Sequence, residues 1–163
     1  MSASLSKDVL VLGLGNTLLA DDGVGVHVIR RLILEAATLP WLRVVDGGTM
    51  GFRLTSLLSD GGDVLIIDAS DFGAPPGTIR LIGAESLAGH IARDKKSSAH
   101  EAGLADLLSL LRLEDIIPRH LAVLAIQPQE IGWGETLSDP VGKAVGPACK
   151  MVRSTAIAWR GNP

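Results

Sequence analysis

Four acidic residues and one histidine are of the types that metal-assisted or acid–base chemistry uses. Asp21 and Asp22 follow the first apolar run of the chain, and Asp46 ends the second. Asp68 ends a third run, and His100 stands near the start of a later helical pattern. In open α/β sheets, ligands bind where the carboxyl ends of parallel strands meet. Oxygen and nitrogen ligands with open positions suit a divalent first-row metal such as nickel or zinc, so the sequence predicts a site at this edge.

Each of these residues also has a purely structural interpretation. Asp21 or Asp22 could cap the first helix, because aspartate is a preferred N-cap residue. Asp46 precedes two glycines and Asp68 precedes a proline-rich segment, so both could be turn formers. His100 could be a solvated surface histidine. The residues alone leave these alternatives open.

The segments that must position these residues alternate between strand and helix patterns. Short apolar runs predict strands at residues 9–12, 43–46, 63–68 and 121–126. A first helix is predicted from Gly23, with a stripe formed by Val24, Val28, Ile29, Leu32 and Ile33. Later helices are predicted around Leu57 and Leu58, around a leucine stripe at 104, 107, 108 and 111, and from Ser138 onward. This βαβ order favours a parallel sheet within one domain that covers residues 1–163.

Several details of the middle and end of the chain can be predicted more sharply. A strand at residues 77–82 follows its predecessor after about eight residues, too few for a parallel crossover, and should run antiparallel to it. Residues 83–97 predict a loop or short helix. Ser98 and Glu101 have the spacing of a capping box that opens the next helix. Pro147 is expected to kink or interrupt the final helix.

Composition excludes several functional classes. The net charge is −3 and no stripe of basic residues is present, which argues against a nucleic-acid ligand. The single cysteine, Cys149, rules out an intrachain disulfide and a thiolate zinc cluster, and it is interpreted as buried packing. The sequence lacks a signal peptide and an apolar run of membrane-spanning length, so we expect a cytoplasmic protein without membrane insertion. His27, His90 and His120 are interpreted as structural or exposed.

Two familiar motifs begin in this sequence but are not completed. Gly13 and Gly15 start a dinucleotide-binding fingerprint, but Leu18 occupies the position of its third glycine. His100 and Glu101 start a zincin motif, but Leu104 stands where the second histidine is required. Neither chemistry is therefore expected.

Five ordered motifs resemble those of the hydrogenase maturation endopeptidases. The first contains Gly13-Leu-Gly-Asn16 and Asp21-Asp22-Gly23, and the second contains Asp46-Gly-Gly-Thr49. The others are Ile67-Asp68-Ala69 with Pro76-Gly77-Thr78, the segment from Ser98 to Leu104, and Gln127-Pro128. The resemblance extends from about residue 8 to residue 160. It implies a three-layer α/β/α fold with a twisted, mostly parallel five-stranded sheet and one antiparallel strand.

The same resemblance implies a function and a set of site residues. The expected activity is a single endopeptidase cut that removes a C-terminal extension from the large-subunit precursor of a nickel–iron hydrogenase after nickel insertion. The family's metal-binding trio carries over onto Asp22, Asp68 and His100, with Asp22, Asp68 and Asp46 as candidate catalytic carboxylates of an aspartyl-type site. The nickel is expected to be that of the precursor, and the protein to act as a monomer.

Two mechanisms and two rival functions remain open at this point. In the first mechanism, nickel acts as a Lewis acid. In the second, the trio binds nickel that is already in the precursor, so that cleavage follows only after insertion, and Asp46 assists as base. Either version needs a neutral imidazole, so metal binding should weaken below about pH 6. A non-catalytic escort protein that binds nickel or the precursor would use the same trio. A peptidyl-tRNA hydrolase-like enzyme would share the Gly13–Asn16 motif.

Overall fold

Five strands form one sheet at the centre of the protein. The computed structural model describes residues 8–35, 39–48, 55–58, 62–94 and 103–161. The strands are β1 (Val9–Leu14), β2 (Leu42–Gly48), β3 (Asp63–Ala69), β4 (Ile79–Gly83) and β5 (Leu121–Ile126). The helices are α1 (Val24–Glu35), α2 (Thr55–Leu58), α3 (Leu87–Arg93), α4 (Leu104–Leu113) and α5 (Asp139–Gly161).

The order of the strands is β2-β1-β3-β5-β4, and only the last pair is antiparallel. The prediction that β4 runs opposite to β3 is therefore confirmed, although β4 pairs with β5 rather than with β3 itself. The carboxyl ends of β1, β2, β3 and β5 lie at the same edge of the sheet because these four strands are parallel. That edge is the place where the sequence predicts the site.

Helices cover both faces of the sheet, which confirms the three-layer fold. Successive strand residues point to opposite faces. Val9 and Val11 accordingly join a core with α1 and α5, whereas Leu10 and Leu12 join a second core with α2, α3 and α4. Both cores are aliphatic, so the residues of the central strands form continuous apolar runs in the sequence.

Two sequence predictions about helices are wrong in detail. Ile33 is half exposed, because the buried stripe of α1 is narrower than predicted and ends at Leu32. The helix with the leucine stripe begins at Leu104, after an extended Gly103 whose N–H donates to the Asp106 carboxylate. The capping box predicted at Ser98 and Glu101 therefore does not open this helix, and those two residues lie outside the described part of the chain.

The final helix runs without interruption through Pro147. It spans 23 residues, and Ala144, Ala148 and Val152 bury one face against the sheet. A proline within a helix removes one backbone hydrogen bond, but here it lies on the exposed side, and packing on both sides of it maintains the helix. None of the helices in the described residues has the length and apolar character needed to cross a bilayer.

The amino-terminal end of β3 holds a buried ionic cluster at the opposite edge from the predicted site. The Asp63 side chain is fully buried and accepts hydrogen bonds from Arg119 Nε and from His120 Nδ1, each at 2.8 Å. Burial acts to raise the pKa of Asp63, but the hydrogen bonds and charges of Arg119 and His120 outweigh it, so this pKa lies below its ordinary value. His120 also stacks on Trp159, which ties α5 to this cluster.

Replacing Asp63 should remove part of the acid sensitivity of folding. A carboxylate with a depressed pKa stabilises the fold above its unfolded pKa of about 4, and this stabilisation is lost as the pH falls further. We expect Asp63→Asn to lower the free energy of unfolding by about 2–3 kcal/mol at pH 7, because the neutral amide offers Arg119 and His120 only one acceptor oxygen and no charge. Urea unfolding from pH 7 to pH 2.5 measures the difference.

The difference between Asp63→Asn and the wild-type protein should shrink as the pH falls below about 4, because the Asp63 carboxylate is protonated first in the unfolded chain and then, at its lower pKa, in the folded protein. The exposed Asp115→Asn is the matched control, since Asp115 makes only a backbone hydrogen bond among the described contacts. A stability difference that stayed constant across this pH range would contradict the assigned role of Asp63.

Candidate active site

Glycines allow the start of α1 to lie directly on the strand ends. A Cβ atom at Gly25 would lie 2.4 Å from the Ile67 carbonyl oxygen and 2.5 Å from that of Leu14. A Cβ atom at Gly13 would lie 2.5 Å from the Gly25 carbonyl oxygen. Any larger residue at either position would push the helix away from the sheet. The close approach brings the turn before α1 into contact with β3, the strand that ends near Asp68.

The turn before α1 fixes the position of Asp22. Residues Ala20–Gly23 form a 3-10 turn, and Asp22 is buried within it. The Asn16 N–H donates to Asp22 Oδ2 at 2.8 Å, while Asn16 Oδ1 accepts from the Leu18 N–H at 2.9 Å. Gly15 has φ +120° and passes so close beneath the Asp22 carbonyl that no side chain fits. The Gly13–Asn16 motif therefore holds one predicted site residue in place.

Asp21 has a different role from its neighbour. Its Oδ2 accepts hydrogen bonds from the Gln129 and Glu130 N–H groups at 2.9 Å and from Ser138 Oγ at 2.7 Å. Its Oδ1 accepts from the Ser138 N–H at 2.7 Å. With four donors around it, the fully buried Asp21 ties the turn before α1 to the loop that leads into α5. Asp21 is therefore a structural residue, but its hydrogen bonds go to the loop before α5 and not to the start of α1.

Asp68 and Asp46 both lie at the predicted edge, but on different faces. Asp46 and Ile67 flank Gly13 on neighbouring strands, so they share a face, and Ile67 packs on the α1 and α5 side. Asp68 is the next residue and therefore points to the side of α2, α3 and α4. Two strand spacings separate β2 from β3, about 10 Å. Asp68 is buried, whereas Asp46 is exposed on the edge strand.

A buried glutamine organises the loop that follows Asp68. Gln127 Oε1 accepts from the N–H groups of Phe72 at 2.9 Å and Ala74 at 3.3 Å. Gln127 Nε2 donates to Asp71 Oδ1 at 3.0 Å. Its backbone N–H donates to the Thr78 carbonyl, and its own carbonyl accepts from the Gly77 N–H. The Gln127-Pro128 motif thus supports the segment between β3 and β4.

Two contacts from α3, which the sequence did not indicate, hold the start of the same loop. His90 Nε2 lies 3.0 Å from Ser70 Oγ, and both side chains are buried. Burial lowers the pKa of His90 below its ordinary value, which favours a neutral ring in this contact. Asp94 Oδ1 accepts from the Asp71 N–H at 2.9 Å. The sequence predicts a loop or short helix at residues 83–97, and the structure has the short helix α3 there, but the polar contacts of His90 and Asp94 were not predicted.

His100 lies outside the described residues, between Asp94 and Gly103. No group of three or more metal-ligating side chains occurs within the ranges that the structure does describe. These ranges bring Asp22 and Asp68 to one edge of the sheet through the contact between the turn and β3. Two buried carboxylates in such a place can ligate a cation or exchange protons with a bound group.

Similarity to known proteins places the chain within a class of peptide hydrolases. A family model described as hydrogenase maturation protease matches residues 26–155. The chain belongs to the hydrogenase maturation protease family, whose members process hydrogenase precursors. The peptidyl-tRNA hydrolase alternative is thereby discarded.

Individual relatives agree in both sequence and structure. The chain is 34% identical to the hydrogenase expression/formation protein HoxM of Cupriavidus necator, over 95% of this chain and 77% of that protein. It is 32% identical to the hydrogenase 2 maturation protease of Escherichia coli, over 88% of this chain and 87% of the relative. The solved hydrogenase maturating endopeptidase HybD from E. coli superposes with a TM-score of 0.76 at 28% identity, covering 91% of each chain. HybD from Thermococcus kodakarensis gives 0.74 at 27% identity, covering 91% of this chain and 99% of that one.

Asp21→Asn tests the structural role of Asp21. An asparagine keeps one acceptor oxygen but presents an amide NH₂ to donors that need an acceptor, so we expect a loss of about 2–4 kcal/mol in the free energy of unfolding. Asp115→Asn serves again as the exposed control and should change stability by less than about 0.5 kcal/mol. Urea unfolding at pH 7 compares the two variants. Equal stabilities would rule out the four-donor anchor.

Gln127→Glu tests the support of the loop after Asp68. The substitution replaces the donor to Asp71 with a second carboxylate, so we expect destabilisation by about 1–3 kcal/mol. Hydrogen exchange at the Phe72 and Ala74 amides should also accelerate. Gln129→Glu, an exposed position, makes the same charge change without facing Asp71. Unchanged exchange at these two amides in Gln127→Glu would contradict the assigned role.

Proposed function

We propose that this protein cuts the large-subunit precursor of a nickel–iron hydrogenase once and removes its C-terminal extension after nickel insertion. The observation that carries the proposal is the burial of Asp22 and Asp68 at the carboxyl edge of a sheet in a member of this protease family. A carboxylate is seldom buried unless it is paired, hydrogen-bonded or bound to a cation. At the edge where α/β proteins bind ligands, two such groups support a role in chemistry.

The donor set suits the nickel that the precursor brings with it. Asp22, Asp68 and His100 would contact this ion, offering two carboxylates and one imidazole, which are suitable donors for a divalent first-row metal. When bound, nickel would supply Lewis acidity toward the scissile carbonyl or a nearby water. Asp94, the last described residue before His100, is bonded to the Asp71 N–H, three residues beyond Asp68. This contact fixes the end of α3 beside the loop that follows Asp68.

The protein's own residues would do most of the positioning. The Asn16 N–H keeps Asp22 oriented, and the fixed end of β3 holds Asp68. Asp46 lies on the opposite face of the sheet from Asp68. In this proposal it therefore assists only as a base at the margin of the site, and Asp22, Asp68 and His100 account for most of the activity. In this proposal the protein acts as a monomer in the cytoplasm.

The direct test is a precursor cleavage assay. Asp22→Asn and Asp68→Asn should each reduce the rate of extension removal by at least about 100-fold, because each variant loses one charged donor at the cation. His100→Ala should have a similar effect, whereas Asp46→Asn should reduce the rate by less than about tenfold. The mass of nickel-loaded precursor, followed over time, gives the rate, and nickel-free precursor should not be cut.

Folding must be checked in parallel, since Asp22 is buried. Circular dichroism and the melting temperature of each variant should match those of Asp115→Asn, which should cleave at the wild-type rate. A precursor mass that never changed with the wild-type protein would leave only the role of an escort that binds without cutting. Normal cleavage by Asp68→Asn would reject the proposed site itself.

A further inference from the structure

A cationic cleft lies between β4 and α3, beside the loop that follows Asp68. Its volume is about 450 Å³, which is within the size range of ligand sites. Its lining includes Phe72, Arg80, Ile82, Ser86, His90 and Arg93. Phe72 is four residues beyond Asp68, and His90 is the residue that contacts Ser70. The cleft is therefore connected to the candidate active site through a short, well-anchored segment.

The two arginines of the cleft are held in place without an acidic partner. The Arg80 guanidinium carbon lies 4.4 Å from the centre of the Phe72 ring, and Arg93 Nε donates to the Gly89 carbonyl at 3.1 Å. Neither arginine enters an ion pair among the described residues. The neighbouring Asp94 is engaged by the Asp71 N–H. Two guanidinium groups without an ion pair among the described residues therefore line one cleft of a protein whose net charge is −3.

Planar guanidinium groups recognise carboxylates with two parallel hydrogen bonds. We propose that the Arg80–Arg93 cleft binds a carboxylate of the precursor's C-terminal extension and holds the extension while the neighbouring peptide bond is cut. The carboxylate is either an acidic side chain or the free chain terminus, which only the extension can supply. Phe72 and Ile82 would contact the aliphatic part of the same segment. This inference rests on the proposed function, since it assigns part of the substrate to a second site.

Binding can be measured without any cleavage. The Nε–Hε signals of Arg80 and Arg93 are followed by NMR while three tetrapeptides are added separately. One is acetyl-Ala-Ala-Glu-Ala-amide, the second is acetyl-Ala-Ala-Ala-Ala with a free carboxylate, and the third is the neutral acetyl-Ala-Ala-Gln-Ala-amide. At least one charged peptide should shift both arginine signals, and the neutral one should not. The peptide that binds identifies the source of the carboxylate.

Failure of this inference can be distinguished from failure of the proposed function. If the precursor is never cut but a charged peptide still shifts both signals, the cleft is supported and the cleavage proposal is not. If neither charged peptide shifts them, or the neutral peptide shifts them equally, the cleft proposal is wrong. It is also wrong if inorganic phosphate shifts the signals while the charged peptides do not.

Kinetics with nickel-loaded precursor provide a second test. Arg80→Gln and Arg93→Gln should each raise KM by about tenfold, and the double variant by more, with a smaller effect on kcat. Arg30→Gln is the matched control, because Arg30 is an exposed arginine on α1, across the sheet from the cleft. A KM in the double variant equal to that of Arg30→Gln would overturn the proposal.

Discussion

The close backbone contact between the first turn of α1 and the ends of β1 and β3 is the constraint on which the site depends. A side chain at Gly25 would collide with two carbonyl oxygens that belong to the sheet itself, which cannot move aside. Because the helix lies this close, the preceding turn meets β3 and brings its buried carboxylate to the same edge as Asp68. The glycines of the first motif therefore make possible the close packing that brings the Asp22 carboxylate to this edge.

Adjacent acidic residues divide two tasks in this turn. Asp21 accepts hydrogen bonds from backbone and hydroxyl donors, and these bonds fasten the loop before α5. Asp22 points elsewhere and is oriented by a backbone N–H of the first loop. A similar division occurs along β3, where Asp63 forms an ion pair at one end and Asp68 stands at the other. Burial alone does not identify the role of a carboxylate, but the donors around Asp21 and Asp63 show that these two are structural.

The strands, and their alternation with helices along the chain, could be predicted because apolar runs bounded by aspartate and glycine are strong local signals. The residues at the strand ends, including Asp22 and Asp68, followed from the same pattern. The contacts of Gln127, Ser70 and His90 could not be predicted, since each joins segments that are far apart in sequence. The continuity of α5 through Pro147 was missed for a related reason, because tertiary packing on the buried face outweighs the local cost of proline. Short-range sequence patterns indicate helices and strands, whereas the surroundings of the site also depend on polar contacts between distant segments.

Strand β4 closes one side of the sheet, with one of its edges unpaired within the described residues. An exposed strand edge is a template on which a second molecule can add its own strand, which leads toward aggregation. Arg80 projects from this short strand, so two copies meeting edge to edge would bring like charges together. The same guanidinium that makes the cleft cationic therefore also helps to keep the molecules apart at high concentration.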